Sequence, residues 1–158
     1  MVNGKMDKLH LEWLATRIRG DLAAAGLPIV DELDVTGTMA GVEVQTDVDE
    51  GIHVSWRSHF VVTTVARHEY ARLQKDGPGA RFDEQVCIAM RAAMATILRA
   101  SGYVFDENYY GDYTGYALWI SGHEEVPSWR DWHDKQRSRL SQIQYRLVTT
   151  LQSQKRED

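Results

Sequence analysis

Apolar residues recur along this chain with two periods, and the switches between the periods divide it into elements. In the first stretch, Met6 to Ala25, residues Leu11, Leu14, Ile18 and Leu22 stand three or four apart with Trp13 beside them, which predicts an amphipathic helix. Gly26 tolerates the left-handed conformation that ends helices, and Pro28 blocks continuation. Residues 29–41 read as a loop with one short strand near Ile29 and Val30. The period then becomes two. Val42, Val44 and Thr46 alternate with Glu43 and Gln45, and Ile52, Val54 and Trp56 alternate with His53 and Ser55. With the turn-forming Asp47–Gly51 between them, these runs predict a hairpin with one apolar face.

Two periods compete over Phe60–Leu73. Phe60 to Val65 is rich in β-branched residues and admits a strand. Val62, Ala66, Tyr70 and Leu73 nevertheless keep helical spacing, which favours a helix from Val62 to Lys75, closed by Asp76-Gly77-Pro78-Gly79. The next unit, Ala80–Gly122, organises the rest. Phe82, Val86, Met90, Ala93 and Ile97 share one helical face, and Cys87, Met94 and Leu98 widen it. So broad a stripe predicts a core helix packed on a sheet. Gly102 provides the stop, and Tyr103 stands where it can pack back on the last turn. Strands follow at 103–105 and 116–121, joined by an acidic turn that holds Tyr109, Tyr110, Asp112 and Tyr113.

The last helix spans residues 128–155. Ser128 and Asp131 form a near capping box, and Leu140, Ile143, Leu147 and Leu151 form its stripe. Trp129 and Trp132, near its start, are expected to pack in the core. Such a helix is ~40 Å long. A compact domain of this size has a radius of gyration near ~15 Å. The helix therefore either straps across the body or pairs with another copy, and its four leucine and isoleucine positions are the candidate oligomer interface.

These elements predict an α+β fold over a single domain, 1–158. An antiparallel sheet of about four strands (42–46, 52–56, 103–105, 116–121) would be covered by three or four helices, with a long C-terminal helix. The order of the strands stays open. With Phe60–Val65 taken as a strand, the order helix, three strands, helix, two strands, helix resembles that of the type III secretion chaperones and related small bacterial regulators. That resemblance is one of topology and carries no motif residue. It implies a dimer that binds a partner polypeptide.

Composition narrows the function. The chain has 158 residues and a formal charge of −5, which argues against a general nucleic-acid binder. Charge is uneven: residues 28–56 hold seven acids and 101–127 five, neither with Lys or Arg, whereas residues 128–156 hold seven bases against two acids. Turn-forming Asp and helix-forming Arg explain much of this, and an acidic strand-side surface for a basic partner is the sharper reading. One cysteine, Cys87, lies on an apolar helix and reads as a small hydrophobe. No apolar run reaches the length of a membrane span and Met1–Lys8 lacks a signal-peptide core, so a cytoplasmic protein with no membrane partner is expected.

The six histidines do not fall at zinc-binding spacings, and no nucleophile elbow, phosphate-binding loop or dinucleotide fingerprint occurs. No metal or cofactor is expected. The most distinctive polar feature is the tyrosine group Tyr109, Tyr110, Tyr113 and Tyr116 interleaved with Asp112, because tyrosines supply large contact area at binding surfaces. The chain therefore reads as a non-catalytic, homo-oligomeric adaptor that engages a protein through this loop. The alternatives are a small-ligand sensor or enzyme with a pocket between sheet and helices, on which His53, His59 or His68 would converge, and a self-assembling structural protein.

Overall fold

The computed structural model of the protein describes residues 7–30, 34, 36–49, 51–106 and 116–154, without the side chains of residues 106 and 146–154. The chain divides into two compact units, Met1–Glu124 and Glu125–Asp158. The first holds α1 (Lys8–Ala24), β1 (Gly41–Asp47), β2 (Gly51–Arg57), α2 (Phe60–Ala71), α3 (Pro78–Ala100), β3 (Tyr103–Asp106) and β4 (Leu118–His123). The second holds α4 (Trp129–Gln154). The architecture is α+β, as the periodicities predict.

The four strands form one antiparallel sheet in the order β1-β2-β4-β3. The returning strand of each hairpin is central, and the two meet over Ile52↔Ile120, His53↔Trp119 and Val54↔Leu118. Alternation then sorts the side chains. Val42, Val44, Ile52, Val54, Leu118 and Ile120 are buried on one face, against Leu11, Leu14, Ile18 and Leu22 of α1 and Met94, Ala95 and Leu98 of α3. Full burial of each such side chain is worth about 1.5–3 kcal/mol. Polar ties fix the layers. Arg19 donates to the Val44 carbonyl at 2.8 Å, and the Tyr103 hydroxyl donates to buried Asp21 Oδ2 at 2.8 Å. Tyr103 reaches Asp21 because Gly102, at φ 84°, turns the chain sharply out of α3.

The helical reading of Phe60–Leu73 holds, with α2 at Phe60–Ala71 instead of Val62 to Lys75, so the three-strand run on which the likeness to the secretion chaperones depends is not there. The His59 ring accepts from the Val61 N–H at 3.2 Å and caps the helix, which starts the α conformation before the β-branched run can extend. Helical spacing then puts Ala66 on the buried side. On α3 the buried positions are Ala80, Met94, Ala95 and Leu98, whereas Phe82 is 57 % exposed and Val86, Met90 and Ala93 are half-buried. The expected stripe is thus the flank of the buried face. Trp129 and Trp132, expected in the core, are 47 % and 65 % exposed.

Candidate functional site

The long helix α3 serves two layers in succession. Its C-terminal half lies on the sheet, and α2 packs beside it as an antiparallel-joined neighbour through the short link at 72–77. The joint is close because of a glycine. A Cβ at Gly79 would stand 2.4 Å from Val65 Cγ1, so the first turn of α3 can approach α2 only without a side chain there. Glu69 completes the joint by accepting from the N–H groups of Gly79 at 3.2 Å and Ala80 at 2.7 Å. A carboxylate there satisfies two of the unpaired donors at the helix start and complements its dipole.

That joint displays apolar side chains outward. Val65 touches the Gly79 turn, Val61 stands one turn back along α2, and Phe82 stands one turn on along α3. They are 44 %, 59 % and 57 % exposed. Phe60, Tyr70 and Ile88 are exposed on the same pair of helices. The spacing of Phe82 and Val86 marks an apolar face, and at Phe82 that face is exposed instead of packed on the sheet.

Tyr116 bonds to the same pair of helices. Its hydroxyl donates to Glu84 Oε1 of α3 at 3.0 Å. Burial, and then the Glu84 carboxylate, push its ionisation up to about 12, so it remains a neutral donor. The strand accordingly begins at Leu118 instead of at Tyr116. Tyr109, Tyr110, Asp112 and Tyr113 lie outside the described residues. Next to this anchor, Cys87 Sγ lies 3.7 Å from Ser58 Oγ. Burial raises the thiol's pKa further than the Ser58 hydrogen bond lowers it, which keeps the group protonated and unreactive. Asp83 Oδ1, one turn before Cys87, is buried with no hydrogen-bond partner among the described residues.

The other face of the sheet carries Glu43, Gln45, His53, Ser55 and Trp119. The ring centroids of His53 and Trp119 stand 3.5 Å apart. Burial lowers the His53 pKa, with Asp47 opposing the shift. The acidity of this region is partly neutralised from just beyond the acidic run. Arg57 donates to Glu43 Oε1 at 2.6 Å and pairs with Asp34 Oδ2 at 3.2 Å. Asp34 itself has a lowered pKa, first through a hydrogen bond from Thr36.

The histidines proposed to converge on a pocket do not meet. His53 lies against Trp119 with the rings tilted at 58°, His59 caps α2, and His68 is exposed on α2. Among the described residues no group of three or more His, Cys, Asp and Glu could hold a metal ion, and no helix is long and apolar enough to cross a membrane. Of the candidate oligomer positions, Leu140 and Ile143 are 62 % and 54 % exposed, and the side chains of Leu147 and Leu151 lie outside the described residues. No family model, curated protein or solved structure matches the chain.

Proposed function

We propose that this chain is a non-catalytic adaptor that holds a protein partner on the outer side of the α2–α3 joint, together with the tyrosine loop that returns at Tyr116. The observation that carries this reading is the exposed row Val61, Val65 and Phe82, set beside the Tyr116–Glu84 anchor. Several exposed apolar side chains on one pair of helices are a feature of interfaces, and tyrosines add contact area with little entropy lost on ordering. A chaperone-like role, in which the adaptor keeps another polypeptide in hand, follows from this surface. It does not rest on the likeness to the secretion chaperones, which fails at α2.

The test uses the full chain as bait in lysate of its source, beside the double variant Val65→Ser/Phe82→Ser and the triple variant Tyr109→Ser/Tyr110→Ser/Tyr113→Ser. A stoichiometric second polypeptide that is lost in both variants, with their thermal unfolding unchanged, is the expected result. Equal capture by the wild-type chain and both variants would sink the proposal.

A further inference from the structure

The apolar residues of α4 repeat every eleven positions. Trp129 is followed by Leu140 and then Leu151, Trp132 by Ile143, and Gln136 by Leu147. Steps of three, four and four average about 3.67 residues per turn, so the row runs nearly straight along the helix. At about 100° per residue it covers an arc of only about 100°. Trp129, Trp132, Leu140 and Ile143 are all exposed.

Charge is ordered around that row. Helical spacing sets Lys135 and Arg139 along one edge and Arg130 and Arg137 along the other. Arg146 continues the first edge in sequence. The two acids of the helix, Asp131 and Asp134, fall on the opposite side. Lys135, Arg137 and Arg139 are exposed and have no ion-pair partner among the described residues. The Arg130 guanidinium lies 4.7 Å from the centroid of the Trp129 ring, held beside the row.

This distribution selects among occupants. Two copies of α4 placed face to face would set basic edge against basic edge in the parallel and in the antiparallel orientation, and like charges along a helix seam oppose association. An anionic lipid surface would engage both edges. It would also have to bury Gln136 in the middle of a narrow row and draw close a chain of net charge −5. An amphipathic helix with acidic edges meets every feature: its apolar seam covers the row, its carboxylates meet both edges, and Gln136 sets the register as polar seam residues do.

We propose that α4 is a docking helix for an acidic amphipathic helix of a partner protein. This goes beyond the adaptor reading above, concerns a different surface, and can fail while that reading stands. The probes are two synthetic helical peptides that share one leucine seam with an eleven-residue repeat. One has Glu along both edges and the other has Lys. The full chain is titrated with each labelled peptide, and separately with phosphatidylserine-containing vesicles, while light scattering follows its own association.

The acidic peptide should bind and the basic one should not. Raising salt from about 0.1 M to about 1 M shortens the screening length from about 10 Å to about 3 Å and should weaken binding strongly. Arg137→Glu/Arg139→Glu should lose about tenfold for the acidic peptide, equivalent to about 1.4 kcal/mol, and gain for the basic one. Ile143→Asp should abolish binding of the acidic peptide. Failure of the acidic peptide to bind overturns the proposal. So does an unchanged affinity in the charge-reversal variant, tighter binding to vesicles than to the peptide, or a homodimer that Ile143→Asp dissociates. The Val65→Ser/Phe82→Ser variant should bind the acidic peptide as the wild-type chain does, and loss of binding there would place the peptide on the α2–α3 joint instead.

Discussion

The two halves of α3 share one sequence pattern and meet opposite fates. Both carry large apolar residues at spacings of three and four. In the C-terminal half, Met94 and Leu98 are completely buried between the sheet and α1. In the N-terminal half, Phe82 and Ile88 are exposed, and α2 meets that stretch through the close contact of Val65 with Gly79. Periodicity marks a face, and it does not say whether anything covers that face.

Mutations in the two halves should therefore differ most. Leu98→Ala should cost ~2–5 kcal/mol in urea-denaturation stability, as large-to-small changes in tight cores do. Phe82→Ala should stay within about 0.5 kcal/mol, the usual range for a surface position. Similar losses at both sites would mean that the N-terminal half is core after all. Next in size is the tie that fixes where α3 ends. Tyr103→Phe deprives buried Asp21 of a donor and should cost about 1–3 kcal/mol by the same assay. A neutral result would show that Asp21 is satisfied by its other contacts.

The smallest effect concerns the sheet face that α1 and α3 leave open. Burial depresses the pKa of His53 in the folded chain below its ordinary value of 6.5. The unfolded chain then takes up the proton first as pH falls. This contribution to stability is complete above about pH 6.5 and declines as pH drops below it toward the folded value. Unfolding free energies measured from neutral to mildly acidic pH should fall less steeply in His53→Gln than in the wild-type chain. Identical slopes would assign the pH dependence to other groups.

Much of the fold was legible in the chain. The stripe Leu11, Leu14, Ile18 and Leu22 is wholly buried where the spacing put it, and the hairpin at 41–57 pairs in the register its alternation implies. Gly102 breaks α3 where a left-handed residue was expected. The candidate site was less legible. Tyr116 is anchored by Glu84, a residue 32 positions earlier, and no local pattern records so distant a hydrogen bond. Val65 and Phe82 meet the same limit, since their exposure depends on how far the sheet extends beneath α3.

Local spacing by itself determined the helices, the two hairpins and the polarity of each sheet face, because those follow from backbone geometry and the cost of placing apolar groups in water. Only the tertiary structure decided that β2 and β4 would be central and which apolar side chains of the described residues would stay exposed. Those outcomes depend on what stands opposite each element, and contacts between residues far apart in the chain leave no period in the sequence.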